Sequence, residues 1–94
     1  MKAILKAGPE PGIELKDIPI PEPGAGEVLI KVEASAICGT DMHYYHWNQA
    51  GQGFASKFNV KWPLVLGHEC GGTIVKVGEG VSDRKVGDRV AVET

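Results

Sequence analysis

The sequence predicts a mainly β fold, a small barrel or sandwich carrying one short helix. Three observations point there. Thirteen glycines and six prolines cut the 94 residues into short apolar stretches separated by turns. The segment Val28–Ala36, VLIKVEASA, alternates apolar and polar side chains with the period of a half-buried strand. Only one segment carries a helix start, because Thr40 or Asp41 can cap a turn or two running through residues 43–47. Many short strands with one short helix suit a barrel or sandwich layer.

In chain order, residues 1–6 and 13–18 read as strands joined by the turn-forming AGPEPG. The Pro- and Gly-rich stretch PIPEPGAGE has no apolar face of its own and reads as a connection to the strand Val28–Ala36. Residues 49–62 are polar and contain glycine, so they read as a surface loop after the helix. Further strands are expected at residues 65–66, 73–77 and 89–92, the last two separated by GEGVSDRKVGD. That charged turn mixes both signs, as a solvated loop does. Trp62-Pro63 leads into the next motif and is a candidate for a cis bond.

Ninety-four residues suit one small domain. The net charge is −2 and the basic residues are scattered, which argues against a nucleic-acid partner. No apolar run approaches the roughly 20 residues of a membrane span, and the N-terminus is interrupted too early for a signal peptide. The expected compartment is the cytoplasm. There, Cys38 and Cys70 are better read as a ligand and a packing residue, or as two packing residues, than as a disulfide framework.

Two short motifs carry chemistry, ICGTDMH around Cys38 and LGHEC around His68. A thiolate and an imidazole suit zinc, and a zinc-bound histidine usually donates its other ring N–H to a carboxylate. Asp41 is a candidate for that carboxylate, and Glu69 for a second acid beside the metal. Gly39 and Gly67 would let the backbone turn beside the ligands. Thr40 and His43 add a hydroxyl and a near-neutral base able to pass a proton to solvent. On spacing alone, a buried thiol, a capped helix and a hydrogen-bonded histidine explain the same residues equally well.

The stretch GHECGGTIVKVGEGV matches the zinc-alcohol-dehydrogenase signature, a G-H-E followed by glycines at Gly72 and Gly78 and a small apolar residue at Val81. With ICGTD upstream and VGDRV downstream, the whole chain resembles the N-terminal, GroES-like catalytic segment of the zinc-dependent medium-chain dehydrogenases. ICGTDMHYYHWN is similar to threonine 3-dehydrogenases and the neighbouring polyol dehydrogenases. The resemblance implies a partial β-barrel. It implies Cys38 and His68 as zinc ligands, Glu69 as the adjacent glutamate that approaches the metal, and Asp41 behind the zinc histidine. It also implies Thr40 and His43 as a proton relay, NAD or NADP as hydride acceptor, a small alcohol as substrate and a homo-oligomeric full-length enzyme.

A third zinc ligand and the G-x-G-x-x-G fingerprint of a Rossmann domain are not found in the sequence. The 94 residues therefore read as a fragment, inactive alone, weak at most in zinc binding, and with open sheet edges. The alternative is a binding module of the co-chaperonin kind, which shares this barrel type. Against it, such a module needs no GHE signature. Tyr44, Tyr45 and Trp47 are expected to anchor the helix, and His46 to be solvated.

Overall fold

The computed structural model describes residues 1–93, in two compact units: residues 1–19 with 37–67, and residues 20–36 with 68 onward. In the first unit, β1 (Lys2–Lys6) lies at the centre of a three-stranded antiparallel sheet, between β2 (Glu14–Asp17) and β4 (Leu64–Val65). Ile4 faces Leu15 and Leu5 faces Val65 in register. Ala3 and Leu5 point to the buried face, while Ile4 points outward and is 49% exposed, as the two-residue repeat of a strand requires.

Lys6 breaks that simple alternation. It is fully buried, with Nζ 4.7 Å from the Trp47 ring centroid and 5.9 Å from that of Trp62. The two indoles meet edge to face at 5.6 Å. Nζ has no hydrogen-bond partner among the described residues. Burial holds the ammonium below its ordinary value of 10.5, against a smaller opposing pull from Glu10. Desolvation of an unbonded cation costs more than two aromatic faces return. The unfolded chain keeps this proton to higher pH than the folded one. The penalty is therefore complete below the folded-state value and disappears as pH rises to the unfolded one. Lys6→Met is expected to raise stability at neutral pH by on the order of 1–2 kcal/mol. In urea titrations the gain should shrink towards pH 10.5; a loss of stability of equal size at every pH would contradict this account.

Two helices complete the first unit. α1 (Gly39–His46) begins two residues earlier than the nearer expected cap, Thr40, allows, because Cys38 is its N-cap and Asp41 stands at the third helical position. The Asp41 carboxylate Oδ2 accepts the Cys38 backbone N–H at 3.0 Å, a reciprocal cap. Trp47 ends the helix in the left-handed region, φ 54°, donating its N–H to the His43 carbonyl at 2.9 Å. The surface loop expected over residues 49–62 is instead largely helical: α2 (Gln49–Lys57) follows at once. Its sequence QAGQGFASK holds two glycines, which are poor helix formers, and that hid it. Tyr44 is buried, Tyr45 and His46 are exposed and stack edge to face, and Trp62-Pro63 is cis.

In the second unit, β5 (Glu69–Val77) runs between β3 (Val28–Ala36) and β6 (Arg89–Ala91) in an antiparallel sheet with open edges. Ile74, 1% exposed, is its buried centre. β5 starts four residues before the expected strand, since the Cys-Gly-Gly run, poor in strand formers, pairs fully with the end of β3. The register shift between Leu29 and Ile30 leaves Val75 as the extra residue on β5, and the one between Val32 and Ala34 leaves Glu33 as the extra residue on β3.

The signature glycines have a packing reason here. A β-carbon at Gly72 would overlap the Lys31 carbonyl, and one at Gly78 would overlap the Gly24 carbonyl. Gly78 also donates its N–H to the Glu27 carbonyl at 2.7 Å, holding the 24–27 turn against β5.

Across the three strands, Glu33 accepts the Thr73 hydroxyl at 2.8 Å and Arg89 Nη2 at 3.1 Å. These contacts, the Thr73 bond first, hold its carboxyl below the usual carboxylate range. No helix among the described residues is long and apolar enough to cross a membrane.

Candidate functional site

The sequence-predicted residues fall on two well-defined pieces of backbone. In the first unit, Cys38, Thr40, Asp41 and His43 occupy the first turns of α1 and its cap. Thr40 and His43 are three residues apart on the helix, so they share a face. Asp41 has the capping role described above in addition to any other it plays, which keeps the start of α1 fixed around Cys38. Burial pushes the Tyr44 phenol up, and the Asp41 carboxylate adds to that shift, so Tyr44 stays a neutral, buried anchor of the helix. Gly67 takes φ 102°, which a β-carbon resists, and turns the chain immediately before His68. Gly39 shows no such need: it is helical and a β-carbon there would meet nothing within 4 Å.

In the second unit, His68 and Glu69 open β5. His68 Nε2 and Glu69 Oε2 lie 4.0 Å apart, each side chain 40% exposed. Two ligands of a tetrahedral zinc sit about 3.4 Å apart, given bonds of about 2.0–2.1 Å. A side-chain adjustment of roughly half an ångström would bring both onto one ion. Cys38, His68 and Glu69 are all half-buried and each offers a single donor atom: a soft thiolate, a borderline imidazole and a hard carboxylate. The donor chemistry fits zinc: thiolate, imidazole and carboxylate are its usual ligands, and half-burial leaves room for a substrate oxygen.

Beside Glu69 runs an open groove of about 390 Å³, lined by Ser35, Ala36, Glu69, Cys70 and Val92 among others. Its small side chains leave room beside Glu69 for a compact molecule. A larger groove of about 620 Å³ is lined by Ile30, Ile74, Asp83, Arg84 and Arg89 among others. None of the predicted site residues lines it, so its size carries no weight. Cys70 is a free thiol whose backbone pairs with Ser35, in keeping with a packing role.

Against known proteins, the model of the alcohol dehydrogenase GroES-like domain matches residues 24–94. The chain belongs to this family. The GroES-like chain is 50% identical, over all of its 94 residues, to the L-threonine 3-dehydrogenase of Thermococcus kodakarensis, covering 25% of that protein. Among solved structures, 2R,3R-butanediol dehydrogenase from Bacillus subtilis superposes with a TM-score of 0.78 at 37% identity, over 98% of this chain and 27% of that one. A short-chain alcohol dehydrogenase from Escherichia coli CFT073, complexed with the cofactor NADH, gives 0.74 at 41% identity over 97% of this chain and 23% of that one.

The GroES-like chain thus spans about a quarter of the length of the curated relatives it matches. Its mainly β architecture agrees with the fold class read from the sequence, with a second helix added. Sequence reasoning missed Asn48, which stands between the two helices. The signal was present: an Asn directly before a run lacking proline is a common helix start.

Proposed function

We propose that this chain is the N-terminal part of the catalytic domain of a zinc-dependent, NAD(P)-linked dehydrogenase. The enzyme oxidises a secondary alcohol or polyol, and among these the reading favours L-threonine. The observation that carries it is the identity of 50% along the whole chain to an L-threonine 3-dehydrogenase, together with the intact Cys38, Thr40, Asp41, His43, His68 and Glu69 set.

Cys38 and His68, with Glu69 beside them, would hold the zinc. Chain connectivity supports that grouping. Ala36 is the Cα partner of Glu69 in the β3–β5 pairing, and Cys38 follows Ala36 by only two residues, a reach of at most about 7.2 Å. Zinc held there supplies Lewis-acid polarisation of the alcohol oxygen, and NAD or NADP supplies the hydride acceptor. Asp41 orients the imidazole of His68. Thr40 accepts the alcohol proton through its hydroxyl and hands on its own towards His43, which releases a proton to solvent. The remaining ligand and the nucleotide site belong to the longer, homo-oligomeric, cytoplasmic enzyme.

The test is a turnover assay of the full-length enzyme with L-threonine, 2,3-butanediol and a hexitol, each with NAD and with NADP. Reduction of the nicotinamide by at least one pair, L-threonine foremost, is expected; no reduction with any pair would refute the reading. The 94 residues alone are expected to show no turnover and only weak zinc binding. Stoichiometric zinc retained by them through dialysis would show that part to be wrong.

A further inference from the structure

Asn48 sits at the junction of the helices and uses both ends of its amide. Its Oδ1 accepts the Gly51 backbone N–H at 3.0 Å, capping α2, while its Nδ2 lies 2.9 Å from Nδ1 of His43. The first bond fixes the identity of both ends, because a backbone N–H only donates and the atom facing it must be the oxygen. The atom facing His43 is then the NH₂ group, also a donor. Nδ1 of His43 must accept and carries no proton, so the neutral ring holds its proton on Nε2.

The surrounding backbone enforces this contact. Trp47, immediately before Asn48, holds φ 54°, an uncommon state for a bulky residue. Gly51 is buried, and a β-carbon there would overlap the carbonyl of His43 itself. Any larger residue at 51 would push α2, and the amide that caps it, away from His43. Phe54 of α2 adds a tilted ring contact to His43 at 6.1 Å between centroids.

We propose that Asn48 is a positioning residue for His43, fixing its ring tautomer and committing its Nδ1 lone pair. For proton transfer the consequence is specific. A proton can enter the ring only at Nδ1, and only when the Asn48 amide swings off it. The ring then passes through the imidazolium and loses its other proton from Nε2 to solvent, with no net change of charge. This consequence rests on the dehydrogenase reading; the tautomer itself does not.

The experiment is ¹⁵N NMR of the full chain labelled at histidine imidazole nitrogens. Its three histidines are assigned by single substitution. Wild type is expected to show His43 with a bare Nδ1 and a protonated Nε2. Asn48→Asp keeps a good cap for α2 but presents an acceptor to Nδ1. Turning a favourable bond into an unfavourable one should shift the ratio of tautomers towards Nδ1–H by about tenfold or more. The Gly51 amide signal reports whether the cap survives. If Asn48→Asp does not fold, Asn48→Ser, a cap too short to reach His43, should raise the Nδ1–H share from the same wild-type baseline. A protonated Nδ1 in wild type, or an unchanged tautomer ratio in a folded variant, would overturn the proposal. In the full-length enzyme, Asn48→Asp should lower kcat with KM nearly unchanged. A wild type that oxidises no alcohol yet shows the expected tautomers would remove the dehydrogenase reading and leave Asn48's role standing.

Discussion

Cys38→Ala in the full-length enzyme is expected to lower kcat by about a thousandfold or more, a loss of roughly 4 kcal/mol of transition-state stabilisation. The thiolate is the one anionic soft donor in the proposed set, and its removal leaves an imidazole and an exchangeable carboxylate. The loss would be chemical and not a folding defect. The half of the α1 cap that joins the Cys38 backbone N–H to the Asp41 carboxylate survives in the alanine variant, and only the thiol's weak contact with the Asp41 backbone is lost. Circular dichroism and the unfolding midpoint should therefore be nearly unchanged while turnover collapses. His68→Ala should behave similarly, whereas Cys70→Ser, which changes a packing residue of β5, should keep most activity. Wild-type turnover in Cys38→Ala would remove zinc from the account.

The second large effect lies in the sheet. Gly72→Ala should destabilise the chain by about 3 kcal/mol, because the new methyl group meets the backbone of β3. Its neighbours would be the Lys31 carbonyl carbon and oxygen and the Glu33 nitrogen. A flexible side chain could move aside, but a bulged stretch of β3 paired on this strand cannot shift without losing register from Ala34 to Ala36. Gly78→Ala should cost a comparable amount by prising the 24–27 turn from the end of β5. Gly53→Ala, which meets nothing within 4 Å and sits inside α2, makes the control and should be neutral to stabilising. Chemical denaturation of the three variants gives the comparison; equal midpoints for Gly72→Ala and wild type would contradict the close approach.

Much of the fold was legible because its strands carry period-2 patterns and its turns carry glycine and proline. VLIKVEASA became β3 with its expected ends, but the expected alternation of burial is not there: residues 28–30 are half-buried and residues 31–36 exposed. What stayed hidden lacked those local signals. α2 reads as loop because its two glycines disfavour a helix, and its cap, Asn48, does its work through a contact with His43 that no spacing announces. The early start of β5 was masked by Gly71 and Gly72, whose use is close packing and not propensity. Burial of Lys6 was invisible for a similar reason. A lysine at a strand end is ordinarily solvated, and only the approach of Trp47 and Trp62 from elsewhere in the unit covers it.

The candidate site was legible in part. Residue types and spacing marked Cys38, Thr40, Asp41, His43, His68 and Glu69 as candidates but suited a buried thiol, a capped helix and a bonded histidine equally well. Only the resemblance to the family gave them roles. Asp41 shows the limit of such reasoning. Its sequence position suits an orienter of His68, yet it also stands at the third position of α1, where its carboxylate caps Cys38. A sequence motif names a chemical group without revealing how many bonds that group serves.

The most direct test of the central claim is the zinc content of the dialysed full-length enzyme, measured by mass spectrometry beside Cys38→Ala and Cys70→Ser. Cys38→Ala is expected to carry about one zinc fewer per chain than wild type, and Cys70→Ser the same amount as wild type. Equal zinc in wild type and Cys38→Ala would contradict a metal centre built on this chain.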